Sequence, residues 1–300
     1  MISFRHQVFV EVARQLSFSR ASQNLFITQP AVSNHIKALE DYYKTALFFR
    51  NKNSIGLTPA GAILYKNLAV MLDKQKEIEL ELSKVSKNFE PQIELLLGAS
   101  TTISLYVIPP VLSLYLQKNP GFRVTLLNRN TEKIIEALAN NEIDLGIIES
   151  HHKESSFDYS QFMTDEVIPV CSKKSFLTKK SNISLSELKS TPIALRERGS
   201  GTLEVVKSEL EKKGISLSNL EVIVRLGGTE GLKNFILADQ CLGFLPRRSV
   251  MKELKSGELV EIKIQGLSIS RKFQFIQRKG QRSMPVYKEF VRFARSYYNK

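Results

Sequence analysis

Gln29, Ser33 and Lys37 fall four residues apart, with Pro30 and Asn34 beside them, and no large apolar side chain interrupts the series. On a helix that spacing gathers all five on one face. Gln and Asn can bond bidentately to adenine, Ser to several base edges, and Lys to phosphate or guanine. The stripe suits a DNA major groove; it also suits a plainly solvated face. A second set of groups lies far downstream. Ser100-Thr101-Thr102, Gly199-Ser200-Gly201-Thr202 and Gly227-Gly228-Thr229 each place small hydroxyl or glycine residues between a strand-like and a helix-like run. Helix starts of this kind offer free N–H groups, hydroxyls and the positive end of a dipole. Any one alone reads as ordinary capping. Three together, beside Arg196 and Arg198, predict an anion pocket at the carboxyl edge of a sheet.

Other reactive groups form no convergent set. His151-His152 are adjacent, so they do not share a face as i, i+4 ligands do, and they read as a solvated loop. Ser200 lacks a Gly-x-Ser-x-Gly elbow because position 198 is Arg. Glu149, Glu197 and Glu230 read as lone carboxylates. Cys171 and Cys241 are the only thiols and read as reduced core residues. No catalytic pair, metal or cofactor is predicted, and no enzyme.

Three short helices must position the first stripe. Val8, Phe9, Val12, Ala13 and Leu16 mark an amphipathic helix; Ser19 can cap a second that turns Ala21 and Leu25 inward. Phe26-Ile27 makes a tight connection. Thr28 then caps a third helix with Pro30 in its first turn and Val32, Ile36 and Leu39 inward. Such spacing is what helix-turn-helix docking needs, and it favours the groove-reading alternative. Residues 47–58 read as two extended pieces around a basic turn, a β-wing whose Arg50 and Lys52 reach the DNA backbone or minor groove. Thr58-Pro59 opens a helix to about Lys87 with Leu64, Leu68, Leu72, Ile78, Leu82 and Val85 along one side. That seam predicts pairing between subunits, with packing on its own chain as the alternative.

Beyond Glu90-Pro91 strands alternate with helices. Strands are read at 93–97, 124–127, 145–148, 167–171, 193–195, 220–224, 242–244 and 273–276, and helices near 104–117, 131–140, 202–213, 229–239 and 285–298. This is α/β periodicity with open, mostly parallel sheets. The last strand and helix are expected to return to the first of two lobes, 92–163 with 268–300, the second being 164–267.

The composition is that of a globular protein, 42% hydrophobic and 24% charged, with a net charge of +13 that favours a polyanionic partner. Residues 1–88 carry 12 basic and 7 acidic side chains, a denser excess than that averaged over the remaining 212 residues. The N-terminus has no signal-peptide pattern and no run reaches the length of a membrane span, which predicts a cytoplasmic protein.

The segments Ala21-Ser22-Gln23-Asn24-Leu25, Thr28-Gln29-Pro30-Ala31-Val32-Ser33, Leu39-Glu40, Leu47-Phe48-Phe49-Arg50 and Leu57-Thr58-Pro59-Ala60-Gly61 together resemble the LysR-type transcriptional regulators. Arg196-Glu197-Arg198-Gly199-Ser200-Gly201-Thr202 is similar to the Arg-Glu-x-Gly-Ser-Gly-Thr signature of one branch, with Arg198 where Pro is common. That extra cation either serves an anion or points to solvent. The resemblance implies a winged helix-turn-helix head (1–58), a linker and dimerisation helix (59–89) and a two-lobed effector domain (90–300) like type 2 periplasmic binding proteins. It further implies promoter DNA, a homodimer or homotetramer, RNA polymerase and a small-molecule effector as partners. DNA contacts fall on Arg20, Gln29, Pro30, Ser33, Asn34, Lys37, Arg50 and Lys52. Effector contacts fall on Ser100, Thr101, Thr102, Arg196, Gly199, Ser200, Gly201, Thr202, Gly228 and Thr229. A solute-binding protein is the rival, disfavoured by the head. One position departs from the family: Tyr43-Lys44 replaces a Leu-Gly pair, and a left-handed turn there costs Lys44 ~1 kcal/mol.

Overall fold

The computed structural model describes residues 2–51, 54–85, 93–149, 154–180, 182–279 and 285–298. It divides into two compact units, residues 1–93 with 140–142 and 280–288, and residues 94–139, 143–279 and 289–300.

The head consists of α1 (Phe4–Gln15), α2 (Phe18–Asn24), α3 (Gln29–Tyr43), the hairpin β1 (Phe48–Asn51) with β2 (Ser54–Leu57), and α4 (Pro59–Val85). Phe9 and Val12 of α1, Ala21 of α2, and Val32, Ile36 and Leu39 of α3 share one core with Leu47, Phe48 and Leu68. Leu16, expected inside, instead ends α1 in a left-handed conformation and is exposed. Ser17, rather than the expected Ser19, caps α2, its hydroxyl accepting from the Arg20 N–H at 3.3 Å. Phe18 packs against the head core, so the helix begins there, one residue after Ser17. Thr28 caps α3 as expected, accepting from the Ala31 N–H at 3.3 Å.

Helix α3 stops at Lys44, whose backbone is left-handed with φ 53° and ψ 35°. Glu40 organises the exit. Its carbonyl accepts from Lys44 and Thr45, and its carboxylate accepts from the Leu47 N–H at 2.8 Å and the Phe48 N–H at 3.3 Å. Lys44→Gly is expected to raise the stability of the head by about 1 kcal/mol, because glycine adopts this conformation without the Cβ clash. An unfolding midpoint that stays or falls would contradict it.

Thr58 begins α4 by accepting from the Gly61 N–H at 3.0 Å while donating to the Ala46 carbonyl at 2.7 Å. A side chain at Gly61 has no room, since its Cβ would lie 2.0 Å from the Leu47 carbonyl oxygen. The seam of α4 divides into two halves. Leu64, Leu68 and Leu72 pack on the head core, whereas Ile78, Leu82 and Val85 are exposed.

The chain continues through β3 (Ile93–Ser100), α5 (Thr101–Tyr106), α6 (Ile108–Lys118), β4 (Phe122–Arg129), α7 (Thr131–Ala139), β5 (Leu145–Glu149) and β6 (Phe157–Ser172). Then come β7 (Asn182–Ile183), α8 (Leu185–Lys189), β8 (Ile193–Arg196), α9 (Gly201–Glu211), β9 (Val222–Leu226), α10 (Thr229–Ala238) and β10 (Leu242–Pro246). The last elements are α11 (Met251–Ser256), β11 (Leu259–Glu261), β12 (Lys263–Ile264), β13 (Ile269–Arg278) and α12 (Pro285–Tyr298). The single helix expected near 104–117 breaks at Val107, because Pro109 and Pro110 lack the N–H groups a continuous helix needs and fit instead at a new start.

The strands lie in the order β4-β3-β5-β13-β6-β10-β8-β9, with β11 also on β6. Pairs β3–β5, β8–β10 and β8–β9 are parallel, as expected, and β5 is buried along its whole length. The centre differs from expectation. Strand β6 is 16 residues long and β13 is 10, and they pair antiparallel with a register shift at Phe273/Gln274. They carry the chain out of the first lobe (β3–β5 side) into the second (β8–β10 side) and back. Two crossings in opposite directions must run antiparallel. The polar start of β6, Phe157–Glu166, gave no apolar run, yet its backbone is paired by β13 except at Phe162, where the register shifts.

Candidate functional site

Helix α3 turns Val32, Ile36 and Leu39 into the head core and leaves Gln29, Pro30, Asn34 and Lys37 exposed, with Ser33 half-buried. Gln29 Nε2 donates to Ser33 Oγ at 3.2 Å, which holds the two polar groups side by side. Behind them His35 packs edge-on against Phe4 of α1, their ring centroids 5.3 Å apart. Arg20 is exposed on α2. The backbone of Arg50 lies in β1 opposite Ile55; its side chain, Lys52 and His151-His152 lie outside the described residues. The expected stripe therefore exists as one exposed polar face on a helix fixed from behind.

In the effector domain all three expected helix starts form, but their partners differ from expectation. Ser100 Oγ donates to Glu149 Oε2 at the end of β5, rather than capping α5. Glu149 Oε1 accepts from Arg271 Nη1 at 3.3 Å, and the same nitrogen donates to Thr202 Oγ1 at 2.7 Å. A chain Ser100–Glu149–Arg271–Thr202 thus links the first turn beyond β3 with that of α9. Arg271 also grips Asp165 Oδ2 through Nε at 3.0 Å and Nη2 at 2.8 Å, and stacks 4.8 Å from the Phe273 ring. Asp165 takes Arg248 Nε on its other oxygen at 3.3 Å. Glu149, Asp165 and Arg271 are all buried. Along this chain Thr102 Oγ1 and Ser200 Oγ are buried without a hydrogen-bond partner among the described residues.

The third start belongs to a separate pair. Gly228 adopts φ 77° to open α10, and Thr229 Oγ1 accepts from Arg196 Nη1 at 2.8 Å. Arg196 meets Glu197 in a two-point ion pair at 2.8 and 2.9 Å. Burial would raise the Glu197 carboxyl, but the Arg196 guanidinium beside it brings it below the usual carboxylate range. The lobes touch where the Glu132 N–H donates to the Gly199 carbonyl at 3.2 Å and Asn130 Nδ2 to the Arg198 carbonyl at 3.4 Å.

These pairings correct one expectation. Glu149, Glu197 and Glu230 are not lone carboxylates: their partners are Arg271 with Ser100, Arg196, and Lys233 at 3.0 Å. Of the two arginines beside the expected anion pocket, Arg196 is paired with Glu197 while Arg198 is exposed. Buried Arg271 and exposed Arg248 face the buried carboxylates Glu149 and Asp165, so the charges of this network balance. Both thiols are buried; burial, reinforced by Asp239, pushes Cys241 up to about 12, and burial also raises Cys171. Such thiols are poor nucleophiles. Among the described residues no helix is long and apolar enough to cross a membrane.

A helix-turn-helix head with an exposed polar reading face, joined to a two-lobed α/β domain with a polar cleft, defines a ligand-responsive transcriptional regulator. Residues 5–62 match the model for bacterial regulatory helix-turn-helix proteins of the lysR family, and residues 90–299 match the LysR substrate binding domain. The chain belongs to the LysR family of DNA-binding transcriptional regulators. It is 30% identical to the HTH-type transcriptional regulator CysL of Bacillus subtilis (strain 168) over 270 residues, 90% of this chain and 89% of that one. The regulatory domain of CcmR from Synechocystis PCC6803, solved in complex with 2-PG, is 26% identical with a TM-score of 0.61, covering 68% of this chain and 96% of that one. Full-length OxyR from Pseudomonas aeruginosa shares the fold, with a TM-score of 0.70 at 19% identity over 98% of this chain and 95% of that one.

Proposed function

We propose that this regulator responds to a small polar molecule in the cleft between its lobes, and that occupancy changes promoter binding or activation. The observation that carries this is the pair of buried, unpartnered hydroxyls, Thr102 and Ser200. They stand two residues from Ser100 and Thr202, the two ends of the chain that links the lobes. A buried polar group left unpaired costs about 1–3 kcal/mol, which a ligand's polar atoms can recover. To act as a switch the ligand must favour one arrangement of the lobes over another. The ligand-bound CcmR domain supports a small molecule in that role.

On DNA, Gln29, Pro30, Ser33 and Asn34 address base edges, while Arg20, Lys37, Arg50 and Lys52 hold the backbone. The exposed apolar half of α4 pairs with a second copy, and two dimers form the tetramer that meets RNA polymerase in the cytoplasm. The effector reading is tested by a thermal-shift screen of small polar metabolites, followed by promoter binding with each hit. Thr102→Val is expected to keep promoter affinity and to weaken the hit about tenfold. If no compound that raises the midpoint alters promoter binding, the reading fails.

A further inference from the structure

Between α7 of the first lobe and α9 of the second lies a cavity of about 750 Å³. Its lining runs against the charge of the whole chain. Glu132, Glu149, Glu154, Glu204 and Glu211 face it, against Arg198 and Lys207, and Glu136 on the same wall is matched by Lys133 at 2.7 Å. None of Glu132, Glu154, Glu204 and Glu211 is in a salt bridge among the described residues. Ile135, Phe157 and Val205 supply an apolar wall. In a protein of net charge +13 this is a locally negative, half-apolar chamber.

A second observation, independent of the carboxylates, points to a ligand here. Thr131, on the cavity wall at the start of α7, is only 7% exposed, and its Oγ1 has no hydrogen-bond partner. It sits beside Glu149 because residue 201 is glycine. A Cβ there would come within 2.7 Å of Thr131 Oγ1 and 2.1 Å of Glu149 Cγ. The wall thus brings an unused hydroxyl beside a carboxylate whose two oxygens, among the described residues, accept from Ser100 and Arg271. A carboxylate offers about four lone-pair sites, so acceptors remain. An ammonium group presents N–H donors and no acceptor, and it is the group these atoms complement.

We propose that this cavity binds an amine, a small organic cation with an apolar body, as a ligand of the same sensing domain. The inference rests on the reading of the two-lobed domain as the sensing half of the regulator. The ammonium sits against Thr131 and Glu149, the apolar body lies on Ile135, Phe157 and Val205, and the outer carboxylates raise the local concentration of cations. A cavity of this size suits a metabolite rather than a macromolecule.

The test is calorimetric titration of the full-length protein without DNA, using three probes that share an apolar ring: 2-phenylethylamine, 2-phenylethanol and 3-phenylpropanoate. The amine is expected to bind, the alcohol about tenfold or more weaker, and the carboxylate weakest. Glu204→Gln on the exposed rim and the near-isosteric Thr131→Val should each weaken the amine by about three- to tenfold. Equal or tighter binding of the carboxylate, no binding of the amine, or unchanged affinity in both variants overturns the proposal. Promoter affinity measured with and without the amine separates the two readings. Amine binding that leaves promoter affinity untouched supports the site and sinks the sensing role. A different compound that shifts promoter affinity while the amine does not bind sinks the site and keeps the sensing role.

Discussion

Arg271→Met is expected to destabilise the effector domain by about 3–5 kcal/mol, because it strips buried Glu149 of its counter-charge and leaves buried Asp165 only the exposed Arg248. The Arg271 side chain is 0% exposed, and Glu149 and Asp165 beside it are 4% and 2% exposed. Methionine fills much of the volume, so the loss is electrostatic rather than a cavity. The three groups sit where β13, β6 and β5 converge, so both lobes should lose order together. Adding Glu149→Gln and Asp165→Asn to Arg271→Met removes the orphaned charges and should recover much of the loss. Denaturant midpoints of the effector-domain transition measure both effects. A loss below about 1 kcal/mol for Arg271→Met would mean the network is solvated and the account of the cleft floor is wrong.

The second large effect concerns DNA, and it separates two side chains one turn apart. Asn34→Ala is expected to cost about 1–3 kcal/mol at a matched promoter site and little on bulk DNA, so sequence preference flattens. Lys37→Ala is expected to weaken all sequences alike and to lower the slope of log affinity against log salt by about 1. Both residues are exposed, so neither change should disturb the head. Titrating matched and scrambled fragments over a range of salt reads both quantities. If Lys37→Ala altered preference and Asn34→Ala did not, the division of roles along α3 would be reversed.

What was legible in the sequence was local. The reading face of α3 showed because four-residue spacing and an N-terminal Thr-x-Pro are helix signals within a dozen residues. The left-handed turn at Lys44 showed as a missing glycine, and the three helix starts showed as hydroxyl and glycine clusters between periodic runs. The floor of the cleft did not show, because its members lie far apart in the chain. Arg271 meets Glu149 and Asp165 across 122 and 106 positions, and nothing near Glu149 announces its partner. One signal was available: Ile269, Arg271 and Phe273 alternate on one buried face of β13, which places a guanidinium in the core. The Arg196–Glu197 pair was adjacent in sequence yet unexpected, since neighbours in a strand face opposite ways. Strand β8 ends at Arg196, and the turn beyond brings Glu197 round.

The central claim is that α3 and its wing read a specific sequence. It is tested most directly by competition between genomic promoter fragments and bulk DNA for the purified full-length protein at about 150 mM salt, where non-specific contacts are weak. The account predicts that at least one promoter fragment survives an excess of bulk DNA, with affinity at least about a thousandfold above it. Displacement of every fragment in proportion to its length would contradict it.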